Sequence, residues 1–156
     1  MKLFIVCFLA SAMVAQIKIE QAKIEQIKIE QTKPEVWKDP ASGRVWATAD
    51  NGSGVSWSQA GYYCHSLSLG GFHDWKPPSI DELQQLAGPS ANISGYRITG
   101  PIKLTGWQWS SSLGAERGEA WAIDFGDGAR ASVVMGDSGL NRALCVREVP
   151  KDEKSK

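Results

Sequence analysis

The chain has 156 residues, 42% of them apolar, with seven tryptophans, 16 glycines and seven prolines. That is enough apolar material for one well-formed core, and too much turn chemistry for a helical bundle. Seventeen basic residues balance 17 acidic ones. The stretch from Glu35 to Val149 holds nine Lys/Arg and twelve Asp/Glu, so it carries 9 − 12 = −3. A neutral chain with a mildly acidic body gives no reason to expect nucleic acid as a partner.

Residues 1–15 read as a secretory signal peptide. Lys2 precedes the apolar run Leu3 to Leu9, and small residues follow at Ala10, Ser11, Ala12 and Ala15, with cleavage expected after Ala12 or Ala15. The run falls short of the ~20 apolar residues that span a bilayer. The mature form is therefore expected to have no membrane span and to be secreted, periplasmic or held at the cell surface. Cys7 lies inside the apolar run rather than after a small-residue box, which argues against a lipid anchor. Once Cys7 leaves with the signal, Cys64 and Cys145 remain. An even pair in an exported chain reads as a disulfide, two buried free thiols being the alternative.

Residues 16–35 form a stalk of five-residue repeats: Gln16-Ile-Lys-Ile-Glu20, Gln21-Ala-Lys-Ile-Glu25, Gln26-Ile-Lys-Ile-Glu30 and the decayed Gln31-Thr-Lys-Pro-Glu35. At ~100° per residue each repeat turns a helix by about 140°, so the isoleucines spread around it. On a strand the apolar face would flip at each repeat. A loosely helical or disordered spacer is expected, since a coiled coil needs a different period, and Pro34 ends it.

A globular domain follows over residues 36–149, with a polar tail at 150–156. Strand, turn and strand are expected from Trp37-Lys-Asp-Pro-Ala-Ser-Gly43 and Arg44-Val-Trp-Ala47, then a loop at Asp50-Asn-Gly-Ser-Gly54. Ser56 with Gln59 and Ser79 with Glu82 are capping-box pairs that open two helices. The first carries Trp57, Ala60, Tyr63, Cys64 and Leu67 at helical spacing, and the second Ile80, Leu83, Leu86 and Ala87. Four short strands come next, at Trp107 to Ser110, Ala120 to Phe125, Ala129 to Met135 and Arg142 to Val149. Gly126-Asp127-Gly128 is a tight turn between the second and third. The whole reads as a compact α+β domain of two helices and a late antiparallel meander.

This order of parts resembles a C-type-lectin-like domain, and more closely the bacterial Lcl C-terminal domain family. The residues that carry the likeness are Trp37 to Gly43, Trp57-Ser-Gln-Ala60 with Cys64, and Leu69-Gly-Gly-Phe-His-Asp-Trp75. Pro78-Ser-Ile-Asp-Glu-Leu83, Gly106-Trp-Gln-Trp-Ser-Ser111, Ala120-Trp-Ala-Ile-Asp-Phe125 and Arg142-Ala-Leu-Cys-Val-Arg147 continue it. Trp75-Lys-Pro-Pro78 departs from the Trp-Arg-Leu-Pro usual in such relatives. The resemblance implies an exported domain in which a cysteine of the first helix pairs with one of the last strand. It also implies kinship with adhesin tips that recognise sulfated or acidic polysaccharide and, in fold, with formylglycine-generating enzymes.

Function must be read from the residues, not the fold. Calcium-dependent sugar binding requires a Glu-Pro-Asn or Gln-Pro-Asp loop and a Trp-Asn-Asp, and neither occurs in the sequence. Asp124 reads as a strand-face charge and Asp127 as a turn residue, and with Asp137 they fall short of the ligand set calcium needs, so no metal and no cofactor are implied. With both cysteines in the scaffold no thiol is left for oxidase chemistry. His65 and His73 lack a Ser-His-Asp or metal-ligand pattern, and His73 reads as a loop histidine satisfied by Asp74. An enzyme is not expected. Trp107 and Trp109, on one strand face beside Ser110 to Ser112, can stack on sugars or serve as core. Arg130, Arg142 and Arg147 can form a patch for sulfates or carboxylates, or pair with Asp124, Asp127 and Glu148 on a solvated surface. The expectation is an exported, non-catalytic recognition module for a glycan or acidic polysaccharide, bound without metal. The alternative is an envelope structural or protein-interaction domain with no sugar site.

Overall fold

A computed structural model of the chain describes residues 13–25, 35–92 and 95–150. The apolar run of the expected signal peptide, the repeats past residue 25 and the tail past Pro150 lie outside the described residues. The chain divides into two units, Met1–Pro34 and Glu35–Lys156.

In the first unit, residues 13–25 form helix α1, with every side chain exposed. Gln, Lys, Glu and Ala are good helix formers, and Glu20 precedes Lys23 by three positions, a favourable pairing of charges. Ile17, Ile19 and Ile24 are each half in solvent. No helix among the described residues is long and apolar enough to cross a membrane.

The second unit runs β1 (Val36–Lys38), β2 (Val45–Ala47), α2 (Trp57–Ser66), α3 (Ile80–Gln85), β3 (Trp107–Leu113), β4 (Glu119–Ile123), β5 (Arg130–Val134), β6 (Asn141–Arg142) and β7 (Val146–Arg147). One sheet has the order β1-β2-β7 and the other β5-β4-β3-β6. The turn after β1 is built by Asp39, whose carboxylate accepts the N–H groups of Ala41 at 3.0 Å and Ser42 at 3.1 Å, and the Ser42 hydroxyl. Burial alone would raise the Asp39 pKa; the bonds from Ser42 and Ala41 outweigh it and hold the group below its ordinary value. Gly70 and Gly71, at φ 60° and 80°, make the two-residue turn in which Leu69 and Phe72 exchange both backbone hydrogen bonds. That left-handed pair is the chemistry a β-turn of this hand demands.

Both helices start on the expected capping boxes, Ser56 with Gln59 and Ser79 with Glu82. Ile80, Leu83 and Leu86 are buried as the spacing predicts. Ala87 is not, because the chain has left α3 by then and Ala87 is exposed.

Strand alternation divides the core between two clusters. Trp46 of β2, Trp121 and Ile123 of β4, and Leu144 and Val146 pack with α3 and with Ile98, Ile102 and Leu104 of the long connection before β3. Their chain neighbours Val45, Ala47, Ala120, Ala122, Ala143 and Cys145 pack with Cys64, Trp75 and Trp109. These segments are apolar on both faces because each face meets a different cluster.

Three expectations need correction here. The last strand is two strands: Asn141–Arg142 pairs with β3, and Val146–Arg147 pairs with β2 in the other sheet. The late sheet is not wholly antiparallel, since β3, β4 and β5 form the meander but β6 joins β3 in parallel. Asp124 is not a strand-face charge: it ends β4, accepts the Gly126 N–H at 2.8 Å and takes the Gly128 N–H on its carbonyl. Asp127 is the turn residue expected, accepting the Ala129 N–H at 2.8 Å.

Between β6 and β7 the chain passes from one sheet to the other, and there Cys145 bonds Cys64 of α2 with Cα atoms 5.5 Å apart. The bridge closes a sequence separation of 81, for which loop-closure entropy assigns about 4 kcal/mol. Reduction, or the double change of Cys64 and Cys145 to Ala, is expected to lower unfolding stability by about that amount. Denaturant titration with and without dithiothreitol checks it; coincident curves would mean the two sheets are held together without the bond.

Candidate functional site

A pocket of about 630 Å³ opens between α2, the segment Lys76 to Ser79, Glu82 of α3 and the middle of β3. Its α2 wall carries Trp57, Ser58, Gly61, Tyr62 and His65, and β3 contributes Trp109, Ser110 and Ser111.

The walls are held from behind. The Trp57 indole N–H donates to the Ser110 carbonyl at 2.8 Å, and that of Trp109 to the Val55 carbonyl at 2.8 Å. Both rings are therefore fixed with their polar edges satisfied internally. The Ser111 N–H donates to the Pro78 carbonyl at 2.7 Å, and the Ile80 N–H to the Ser112 hydroxyl at 3.0 Å. These two bonds set the Pro77-Pro78 segment and the start of α3 against β3. Tyr62, by contrast, is 78% exposed. His65 Nδ1 lies 2.7 Å from the Gly61 carbonyl; a carbonyl only accepts, so Nδ1 carries the proton and Nε2 is the acceptor in the neutral ring.

Charge gathers at one end. Arg44 Nε lies 3.1 Å from Glu82 and 2.9 Å from Glu148, and Lys76 Nζ lies 3.8 Å and 3.5 Å from the same two carboxylates. The hydrogen bond to Glu148 raises the Arg44 pKa against burial, which lowers it. On Glu148 burial pushes upward, but the bond from Arg44, with the charges of Arg44 and Lys76, prevails and the pKa falls. Glu82 also accepts the Ser79 N–H at 2.7 Å, so one carboxylate caps α3 and faces the pocket.

Of the residues singled out by sequence, the pocket takes in Trp109 and not Trp107, Arg130, Arg142 or Arg147. Trp107 is half-buried and packs with Trp109 in the cluster around the disulfide. The three arginines bond to different groups. Arg130 bonds Gln84 at 3.0 Å and lies over the Trp121 ring. Arg142 bonds the Thr105 hydroxyl and the carbonyls of Gly139 and Asn141. Arg147 is 3% exposed, bonded to Asp74 at 2.7 Å and stacked on Phe72. Asp74 accepts a hydrogen bond from Arg147, and the neighbouring His73 acts electrostatically on the same carboxylate, while Glu148 belongs to Arg44 and Lys76. Asp137 accepts the Gly139 N–H, and no group of three or more potential metal-ligating side chains occurs among the described residues.

None of Tyr62, His65 and Lys76 is placed in a binding site by sequence alone. A signal for Tyr62 was present: the apolar face of α2 runs through Ala60, Tyr63, Cys64 and Leu67, and Tyr62 stands off it, an aromatic ring on the solvent side of a helix.

The carboxylates of Asp39, Asp74 and Glu148 share one direction of shift. The bond from Arg147 holds Asp74 below its ordinary value, against a smaller upward push from burial. A carboxylate whose folded pKa lies below its unfolded one, about 3.9 for Asp and 4.3 for Glu, stabilises the fold fully above that unfolded value. It loses the contribution as pH falls through the folded one. Stability is therefore expected to hold above about pH 5 and to fall below about pH 4. In the Asp74→Asn variant the fall should be shallower. Denaturation midpoints across pH 2–6 check this; an identical acid limb in the variant would count against the Asp74–Arg147 pair.

Comparison with known proteins adds one positive result: the family model described as Lcl C-terminal domain matches residues 35–147. A search of curated proteins finds no match. The matched span holds both sheets, both capped helices, the disulfide and every residue that lines the pocket. The chain belongs to the Lcl C-terminal domain family.

Proposed function

We propose that this protein is an exported, non-catalytic recognition module of C-type-lectin-like fold that binds carbohydrate without a divalent metal. The observation that carries the reading is the pocket: the fixed, half-buried ring of Trp57, an exposed ring at Tyr62, and the exposed serines Ser58 and Ser111 beside them, backed by Trp109, which is buried in the core and offers no stacking face. Aromatic faces take the apolar faces of sugar rings, and neighbouring hydroxyl and imidazole groups take their hydroxyls. The signal-peptide pattern of residues 1–15 and the disulfide between Cys64 and Cys145 fit an oxidising compartment outside the cytoplasm.

A non-catalytic role is supported by how the charged groups are used. Asp74 is bonded to Arg147 and Glu82 to Arg44 and the α3 cap. His65 gives its Nδ1 proton to its own helix. None of these is set beside a nucleophile as a general base would be.

A second reading, an envelope protein-interaction domain with no sugar site, draws on a different feature. β5 is an edge strand, and the exposed side chains Leu113 and Val134 lie on β3 and β5 of the same sheet. Unpaired strand edges accept extended partners.

The test is a glycan-array screen of the oxidised protein, with and without EDTA. Signals that survive EDTA are expected. Loss of all signal on chelation would remove the metal-independent reading, and a blank array with one defined protein captured would favour the second.

A further inference from the structure

We infer that the pocket selects an uncharged pyranose glycan, not an acidic one; this rests on the carbohydrate reading above and narrows it. The charged side chains on its wall are Lys76 and Glu82. Lys76 is set between Glu82 and Glu148, and Arg44 closes the square on the same two carboxylates. Two cations and two carboxylates leave no net charge at that end.

The two wall charges are not equally free to move. Lys76 hangs on long contacts of 3.8 Å and 3.5 Å, with its side chain 44% exposed. Glu82 is 11% exposed and cannot withdraw, because its oxygens hold the Ser79 N–H and Arg44. A sulfate or uronate seated here would have to draw Lys76 from two carboxylates while lying close to one of them, Glu82, which stays in place. Like charges at such range repel, and more so against partly buried walls. The domain as a whole, at 9 − 12 = −3 from Glu35 to Val149, adds to that repulsion.

What remains is suited to a neutral sugar. Trp57 and Tyr62 offer ring faces, and their neighbours Gly61 and Pro77 add apolar surface. His65 presents an acceptor at Nε2, so the ligand must bring a hydroxyl or amide N–H to it. Ser58 and Ser111 can donate or accept. Arg130, Arg142 and Arg147, the groups that would recognise sulfate in bidentate fashion, bond to other partners and do not line the pocket.

The experiment uses the full oxidised chain against neutral hexose and N-acetylhexosamine glycans, with heparin and polyuronate alongside. Affinities for the hits are measured by calorimetry at about 50 mM and about 500 mM salt. The expected result is binding of neutral glycans that changes less than about twofold with salt. Tyr62→Ala should weaken it by about fivefold or more, and Tyr62→Phe by less than about twofold. Because Tyr62 is 78% exposed, its removal leaves the core intact. Binding confined to sulfated or uronic glycans, weakening more than about tenfold in high salt, would overturn the inference and keep the carbohydrate reading. Neutral-glycan binding indifferent to Tyr62→Ala would overturn the assignment to this pocket. Silence on every glycan, or capture of a defined protein instead, would overturn both readings together.

Discussion

The passage of the chain from Asn141 to Arg147 is the constraint on which the globular unit depends. In seven residues it adds a parallel strand to one sheet, crosses, and adds an antiparallel strand to the other. Along the way Ala143 and Cys145 face one apolar cluster and Leu144 and Val146 the other. Three backbone groups between the two strands are paired with the rest of the domain: the Ala143 N–H donates to the Asn51 side chain, its carbonyl accepts from Asn51, and the Cys145 carbonyl accepts from Ala47. The disulfide to Cys64 then fixes α2 at this crossing point. Burial, strand pairing and the covalent bond all act within a single short segment, so α2 and both sheets share one reference.

A second constraint is polar. The Asp50 carboxylate is buried yet accepts from Gly52, from the Thr105 N–H and hydroxyl, and from Gln108. A buried carboxylate is tolerated when it is met by that many donors. Three of the four bonds, those from Thr105 and Gln108, tie the loop after β2 to the entrance of β3, and β3 carries the pocket's inner wall. Removing Asp50 would leave buried donors unpaired at a point where no apolar contact could replace them, so the position of Trp109 rests on a hydrogen-bonded node as much as on packing.

The sequence displayed local signals faithfully. Capping boxes at Ser56 and Ser79, turn chemistry at Asp39 and at Gly126 to Gly128, and an even cysteine pair each correspond to a feature of the fold, because each depends on residues a few positions apart or on counting. What it concealed was non-local. A run apolar on alternate faces from Arg142 to Val149 reads as one strand, and nothing local marks where it changes sheets. The arginines show the same limit: their charge is evident, but whether they form a patch depends on Gln84, Thr105 and Asp74, which are 73 residues from Arg147 in the last case. Tyr62 and Lys76 come together only because α2 is tied by its cysteine and Pro77-Pro78 is held on β3 by the Ser111 N–H.

The pocket's character follows from the same economy of polar groups. Trp57 and Trp109 spend their indole N–H groups on backbone carbonyls inside the domain; Trp109 is buried in the core, so only Trp57 offers a ligand ring surface, with no directional bond. Glu82 is committed to starting α3 and to Arg44, which joins β2 and the residue after β7 through Glu148. The charges beside the pocket are thus part of how the sheet β1-β2-β7 is fastened to α3, and their cancellation is a requirement of the fold before it is a property of the site. A surface built this way is rigid where it is apolar and neutral where it is charged. Its freedom to discriminate lies in the few groups that structure does not consume: the exposed ring of Tyr62, the acceptor nitrogen of His65, and the exposed serines at either side.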